Sequence, residues 1–335
     1  MAIRIAINGF GRIGRNVFRI MHARGDAFEV VALNGLCTPE DLTNQIKYDT
    51  ICGPFSGTVV PGENCVTVDG RDILVLSERD TTKLPWAELG VDFVVEATGA
   101  FRTRAENQEH INSGAKKVML TVPPKDRIDN MVVLGVNDDT LRADQKLLSI
   151  ASCTTTCLAP LAKVLHEAFG IKGGVISTVH AYTNDQRLLD VRHKDTRRGR
   201  AAAVNIIPTS TGAARAVGQV MPELKGKLDG IAIRVPVPVG SAIDFVFEVE
   251  NGPVTIEEVN AAVKAAAEGS MKGIIQYTTD PIVSSDVLHN PYSTVFDSLL
   301  TMVMNGNLVK VIAWYDNEWG YSNRVCDLIT QAHNL

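Results

Sequence analysis

"AINGFGRIGRNVFRIM", residues 6–21, carries Gly9, Gly11 and Gly14 straight after an apolar strand and opens a helix with Ile13, Val17, Ile20 and Met21 on one stripe. Glycines at these places allow a tight turn and a close backbone approach. The helix N-terminus then presents N–H groups and a positive dipole end to a pyrophosphate. The glycine spacing alone is weak evidence, but its strand–loop–helix setting predicts a dinucleotide-binding loop at the start of a Rossmann-type doubly wound sheet.

The next strand, "VVALNGLC" (residues 30–37), raises a question of specificity. About 20 residues after such a loop, an acid usually accepts hydrogen bonds from the adenosine ribose 2'-hydroxyl and repels a 2'-phosphate. Here the chain has Asn34 and Gly35, and the nearest acids, Glu40 and Asp41, lie beyond Pro39 where a helix is expected to start. Glycine neither binds the hydroxyl nor repels the phosphate, so NADP is admitted beside NAD.

Outward from the loop, "IRIAIN", "FEVVALN", "DILVL", "VDFVVEAT", "KKVMLTV", "MVVLGVN" and "LLSIAS" alternate with helical stretches. Near-continuous apolar strands of this kind predict a parallel sheet covered on both faces, over residues 1–152. The second half, 153–317, changes character. "SAIDFVFEVE" puts Ile243, Phe245, Phe247 and Val249 on one face and Asp244 and Glu248 on the other, which predicts an α+β domain with a mostly antiparallel sheet. Thr255 and Glu258 form a capping-box pattern, and residues 318–335 supply a closing helix.

A chain of 335 residues, 45% hydrophobic and 21% charged, can bury two cores without staples. Its net charge of -5 argues against a nucleic-acid backbone or an anionic membrane as the main partner. No apolar run reaches the roughly 18 residues of a spanning helix, and "MAIRIAING" has no secretion signal, so a cytoplasmic location is expected. The six cysteines are too sparse for a disulfide framework and lack zinc-site spacing, so free thiols and no metal are expected.

"SIASCTTTCLAPLAKVLHEAFG" places Cys153 in the first turn of a helix capped by Ser152 and ended by Gly170. The helix end favours a thiolate and could hold an oxyanion, although a buried, inert cysteine is an equal reading of the local signals. "VISTVHAYTNDQ" offers His180 at a strand end as a base, with Thr183 and Asp185 beyond it. "VRHKDTRRGRAA", with Arg192 and Arg198, is a basic cluster suited to phosphate together with Thr211, Gly212 and the arginine of "IAIRVPVPV"; a solvated or subunit-contact loop is the other reading.

With these residues together, the chain resembles the phosphorylating glyceraldehyde-3-phosphate dehydrogenase family nearly end to end. The resemblance is carried by "INGFGRIGR", "IKYDT", "EATGAF", "ASCTTTCLAPLAKVL", "VHAYTNDQ", "HKDTRRGRAAA", "IIPTSTGAA" and "WYDNEWGYSNRV". It implies that Cys153 attacks the aldehyde with His180 as base, that hydride passes to a nicotinamide, and that inorganic phosphate cleaves the thioester. It further implies a site for the substrate's C3 phosphate at Thr183, Asp185 and Arg234, and one for inorganic phosphate at Ser152, Thr154, Arg198, Thr211 and Gly212. Arg12, Ile13, Arg79, Thr98, Gly99, Thr121, Asn317 and Tyr321 would line the cofactor beside Gly9, Gly11, Gly14 and Asn34. A homotetramer is implied, with the loop from Thr183 to Arg200 reaching the neighbouring subunit's cofactor and the closing helix packing on the nucleotide domain.

Four departures from the family pattern matter. Thr156 replaces an asparagine of the cysteine motif, and Val239 and Gly240 depart from the family's Pro-Asn-Val-Ser pattern, which bears on packing or a subunit contact. Gly35 stands where the NAD-using members carry an acid, and Val191-Arg192 replaces their Leu-Pro. Loss of a repulsive carboxylate and gain of an arginine together predict a preference for NADP, with NAD possible, as in NADP-using members. Erythrose-4-phosphate dehydrogenase activity is a rival reading, disfavoured by "HAYTNDQ" and "RRGRAAA". A non-catalytic scaffold is another, disfavoured by intact Cys153, His180, Arg198 and Arg234.

Overall fold

The computed structural model describes residues 2–335. They separate into two compact units, one made of residues 2–132, Asp139–Ala151 and Ser322–Leu335 and the other of Val133–Asp138 and Ser152–Tyr321. In the first unit β1 (Ile3–Asn8), α1 (Arg12–Ala23), β2 (Phe28–Asn34) and α2 (Pro39–Lys47) alternate. They are followed by β3 (Val59–Pro61), β4 (Cys65–Val68), β5 (Arg71–Leu76), β6 (Phe93–Glu96), α3 (Arg104–Asn112), β7 (Lys117–Leu120), β8 (Asn130–Met131) and β9 (Leu147–Ser149).

The nine strands form one sheet in the order β3-β4-β5-β2-β1-β6-β7-β9-β8, parallel from β5 to β8. Strand β6 is buried at every position, as expected of a strand covered on both faces. Local chemistry starts the helices. Thr38 and Asp41 cap α2 reciprocally, with Pro39 in its first turn, and Thr103 and Glu106 do the same for α3.

One strand expectation gains a feature and one is corrected. "DILVL" is the parallel neighbour of β2, as expected, and on its other edge β5 closes an antiparallel meander with β3 and β4. The β4–β5 turn is Asp69-Gly70, with both residues at positive φ as a two-residue hairpin requires. "MVVLGVN" yields only the two-residue β8, because Gly135 at φ +79° turns the chain away. Residues 133–138 join the second unit instead, where Lys163 Nζ donates to the carbonyls of Gly135 and Val136 at 3.0 Å each.

The second unit contains α4 (Cys153–Phe169), β10 (Ile171–Ala181), β11 (Ile207–Ser210), α5 (Ala213–Val220), β12 (Leu228–Val235) and β13 (Ser241–Val249). It continues with α6 (Ile256–Glu268), β14 (Ile275–Thr278), β15 (Thr294–Met304) and β16 (Leu308–Tyr315). Its sheet runs β11-β12-β10-β13-β16-β15-β14, antiparallel except for the pairs β10–β12 and β14–β15. Ile243, Phe245, Phe247 and Val249 of β13 face the core, and Asp244 and Glu248 face outward. The outer face also exposes Val175, Val179, Ile231, Met302 and Met304.

Helix α7 (Trp319–His333) closes the chain. From Ser322 onward it belongs to the first unit, where Arg24 pairs with Asp327 at 2.7 Å and Lys117 Nζ donates to the carbonyl of Ala332 at 2.7 Å.

Candidate active site

Ser152 ends an extended segment and accepts the N–H of Thr155 on its Oγ, so Cys153 becomes the first residue of α4. Gly170, at φ +68°, ends that helix and starts β10. The strand runs eleven residues and brings His180, its penultimate member, to the cysteine, with Sγ and Nε2 3.4 Å apart. Nδ1 of His180 lies 2.7 Å from the carbonyl oxygen of Ala181, which can only accept. Arg234 Nη1, which can only donate, lies 2.9 Å from the same Nδ1; in the tautomer whose Nδ1 proton goes to the carbonyl, the Nε2 lone pair faces the thiol.

The parallel register of β10 and β12 sets Arg234 beside His180. Arg234 Nη1 donates to the same Ala181 carbonyl at 2.9 Å. Two residues before His180, Thr178 shares the hydroxyl of Tyr315 with Thr154, each at 2.9 Å, and the Tyr315 ring stands edge-on to the imidazole. Sequence reasoning missed Thr178 and Tyr315 as a strut between helix and strand. The "WYDNEWGYS" motif contains the tyrosine but gives no hint of its partners.

Burial governs the ionisation of this pair. It pulls the His180 imidazole down, helped by Arg234 and opposed by the Ala181 carbonyl, to about 3. Burial also pushes the Cys153 thiol up, against the pull of Arg234 and the N–H of Thr154. Either charge alone is disfavoured, whereas transfer of one proton from Sγ to Nε2 creates both at once, side by side. Cys157 is buried and pushed much further up, as expected of a core thiol.

The expected phosphate groups divide. The Nε of Arg234 is buried and has no hydrogen-bond partner among the described residues, a donor suited to an anion. Arg198 is instead held by acids. It pairs with Asp185, lies 3.5 Å from Asp195, donates from Nε to Thr209 at 2.8 Å and from Nη2 to the Ser210 carbonyl at 3.0 Å. Sequence reasoning missed Thr209 and Asp195 here. Thr183 donates its N–H to Gln186 at 3.4 Å. Thr211 caps the N–H of Ala213, and Gly212 opens α5 with free space where a side chain would stand. The Ser152 and Thr154 hydroxyls engage Thr155 and Tyr315.

In the first unit the glycine loop has the form a dinucleotide needs. A Cβ on Gly9 (φ +97°) would lie 2.6 Å from the nitrogen of Thr98, and one on Gly14 would lie 2.1 Å from the Gly9 carbonyl oxygen. Gly11, the N-cap of α1, faces open space, and neither a side-chain cap nor an acid occupies the first turn. Those N–H groups, beginning near Arg12 and Ile13, fit a pyrophosphate. Arg12 itself is tied to the buried carboxylate of Asp49. Thr121 donates its hydroxyl to the Glu96 carbonyl at 3.0 Å, and Thr98 hangs from the Glu96 carboxylate next to Gly99, at φ +69°.

At the ribose position, a Cβ on Gly35 would meet only the movable Cys37 sulfur closely, at 2.9 Å. Asp41 is spent on the α2 cap. Arg79 and Arg192 are exposed side chains with no hydrogen bond or ion pair among the described residues.

In the second unit, Asn317 accepts from the N–H of Gly240 at 3.1 Å and from Ser241 at 2.9 Å, and Tyr321 is buried. Gly240, at φ +91°, leaves no room for a side chain, since a Cβ would lie 2.3 Å from the Ser284 carbonyl oxygen. Thr156 donates its hydroxyl to the Ser152 carbonyl at 2.8 Å, a local bond within the helix. Among the described residues no group of three or more His, Cys, Asp or Glu side chains could hold a metal, and no helix is long and apolar enough to cross a membrane. A cleft of about 510 Å³ beside Phe18, His22, Phe28 and Asp69 opens at the start of β2, and none of the predicted site residues lines it.

Comparison with known proteins bears on both units. Residues 3–104 match the family model described as glyceraldehyde 3-phosphate dehydrogenase, NAD binding domain, and residues 152–317 match the one described as its C-terminal domain. The chain is 57% identical over 336 residues to a glyceraldehyde-3-phosphate dehydrogenase of Streptomyces coelicolor, covering 100% of this chain and 99% of the relative. It is 55% identical to glyceraldehyde-3-phosphate dehydrogenase 2 of Streptomyces avermitilis, with the same coverage. It is 54% identical to the Geobacillus stearothermophilus protein of that name, covering 98% and 97%.

Proposed function

The chain belongs to the glyceraldehyde-3-phosphate dehydrogenase family, and from that premise we propose that it converts glyceraldehyde 3-phosphate and inorganic phosphate reversibly to 1,3-bisphosphoglycerate, with NADP preferred over NAD. The observation that carries the chemistry is the 3.4 Å approach of Cys153 Sγ to Nε2 of His180, beside the partnerless Nε of Arg234.

In this reading Sγ bonds to the aldehyde carbon as its proton passes to Nε2, and the imidazolium returns a proton to the new alkoxide. The N-terminus of α4 faces the developing oxyanion. A bound nicotinamide supplies the acceptor for the hydride. His180 takes the hydroxyl proton as the hydride leaves, so the carbon becomes a thioester. A phosphate oxygen then attacks that carbon, the C–S bond breaks, and sulfur leaves as a thiolate beside the imidazolium and Arg234. Arg234 and Thr183 would hold the substrate phosphate. Arg198, with Thr211 and Gly212, would hold the attacking one, exchanging the acids that neutralise it for a phosphate.

The NADP preference is supported by an absence and a surplus: no carboxylate at Gly35, with Asp41 committed to its cap, and an unpaired arginine at position 192. A homotetramer is supported by the apolar side chains on the outer sheet face and by Leu188, Leu189, Val191, Val204 and Ile206 on the 183–206 loop, too many for a solvated surface. Six free thiols suit a cytoplasmic location. The test is a steady-state assay with glyceraldehyde 3-phosphate and inorganic phosphate. Phosphate-dependent NADPH formation is expected, with kcat/KM for NADP above that for NAD; a preference for NAD overturns the cofactor assignment, and no turnover with either cofactor overturns the reaction.

A further inference from the structure

Glu96 lies inside the first unit with no exposure and accepts four hydrogen bonds. Its Oε1 takes the N–H of Thr98 at 2.9 Å and the Thr98 hydroxyl, and its Oε2 takes the Asn8 amide at 2.5 Å and His110 Nε2 at 3.3 Å. Trp86 Nε1 donates to His110 Nδ1 at 3.0 Å, which leaves the ring proton on Nε2 and makes His110 a donor to the carboxylate.

Parallel register continues the row. Glu96 sits opposite Asn8 and Asn8 opposite Asn34, at the C-terminal ends of the three central strands. Asn34 donates from Nδ2 to Asn8 Oδ1 at 2.7 Å and to the Glu78 carbonyl at 2.8 Å, and its Oδ1 accepts the Glu78 N–H at 2.9 Å.

The direction of every bond in this row is forced. The carboxylate can only accept, so Asn8 must turn its NH2 towards Glu96 and its oxygen towards Asn34. The Glu78 backbone has one donor and one acceptor in fixed places, so Asn34 must turn its NH2 towards Asn8. Both ends demand the same polarity, and reversing either amide would set donor against donor or oxygen against oxygen. The row ends on the residue before Arg79 and beside the Gly35 N–H, which donates to the Leu76 carbonyl at 3.1 Å.

We propose that Glu96 is a positioning residue for the dinucleotide: by orienting Asn8 and, through it, Asn34, it sets the Glu78 backbone and the presentation of Arg79 and Gly35 to the cofactor. This rests on the cofactor site described above. Glu96→Gln weakens the anchor in either orientation: its NH2 opposes the Asn8 NH2 and the His110 N–H, or it opposes the Thr98 N–H and leaves Asn8 on a neutral amide oxygen in place of a carboxylate. Asn8→Asp in the same chain selects one orientation and returns a carboxylate to the row: the new acid accepts from the glutamine NH2 and from Asn34, the glutamine oxygen keeps the Thr98 bonds, and only the contact with His110 is unmatched.

The experiment measures the Kd of NADP and of NAD for the full chain by calorimetry, together with cofactor KM and kcat. Glu96→Gln is expected to raise Kd and KM about tenfold or more, with kcat at saturating cofactor within about twofold, and Asn8→Asp/Glu96→Gln to recover most of the affinity. Asn34→Ala, which cuts the row at its far end, is expected to show a similar loss and keeps the test open should the buried glutamine fail to fold. Wild-type affinity in Asn34→Ala or Glu96→Gln, or a double variant no better than Glu96→Gln, overturns the proposal. A wild-type chain that binds neither cofactor overturns the cofactor site itself.

Discussion

Arg234 Nη1 lies 2.9 Å from His180 Nδ1, because the two residues are register partners on the parallel strands β10 and β12. A fixed cation thus stands against the base on the side away from the nucleophile, and it helps keep the imidazole neutral.

Replacing Arg234 by glutamine is expected to raise KM for the sugar phosphate about 10- to 100-fold, the range of a charge-assisted hydrogen bond to phosphate. Because Arg234 also holds the His180 pKa down, the acidic limb of the kcat/KM pH profile should move to higher pH. An unmoved limb with a normal KM would remove Arg234 from the site.

Cys153→Ser is expected to abolish phosphate-dependent turnover, and His180→Gln to lower kcat by about 10² to 10⁴. The rate of Cys153 alkylation by iodoacetamide, followed by mass spectrometry, should also fall in His180→Gln. Equal alkylation rates in the two proteins would break the link between base and thiol.

Gly35→Asp is expected to lower kcat/KM for NADP about tenfold or more while sparing NAD, since the introduced carboxylate repels a 2'-phosphate and Cys37 can move aside. Arg192→Ala should lower the NADP value alone. Equal losses for both cofactors in Arg192→Ala would assign that arginine to loop structure instead of recognition.

Acid should weaken the fold through two groups with the same sign. His180, ordinarily near 6.5 and near 3 when folded, binds more protons unfolded, so its contribution is present above 6.5 and is lost as pH falls from there towards 3. Burial pushes Asp49 up, but the N–H of Cys52, the Arg12 side chain and the N–H of Ile51 bring it down to about 2, so its contribution is lost as pH falls from 3.8 through 2. Thermal unfolding at pH 7.5 and 4.5 should show a smaller drop in Tm for His180→Asn than for wild type. An equal drop would show that His180 is not buried as a neutral ring.

Gly240→Ala should cost stability, about 1–3 kcal/mol, because φ +91° and the Ser284 carbonyl both exclude a side chain. The check is the urea midpoint, and an unchanged midpoint would mean that the β13 entry can rearrange freely.

Signals that act over a few residues could be read directly from the chain. The glycine loop, the Thr38, Thr103 and Thr255 caps, Ser152 ahead of Cys153 and the alternation along β13 depend on backbone dihedrals and on hydrogen bonds within one turn, and the structure has each of them. The Asp69-Gly70 hairpin was equally legible from that dipeptide, and it adds an antiparallel partner to a strand that also pairs parallel with β2.

Partnerships between distant residues depend on which strand lies beside which, and no short window of sequence carries that information. Only the tertiary structure sets Cys153 against His180, places Tyr315 between Thr154 and Thr178, neutralises Arg198 with Asp185 and Asp195, and lines up Glu96, Asn8 and Asn34 across three strands. By itself the sequence determined the kinds of chemistry available and where the helices after Gly11, Ser152 and Thr255 and most strands begin. The packing of strands decided which groups meet, because hydrogen bonds and charge pairs act over a few ångströms, and strand register brings residues far apart in the chain to that distance.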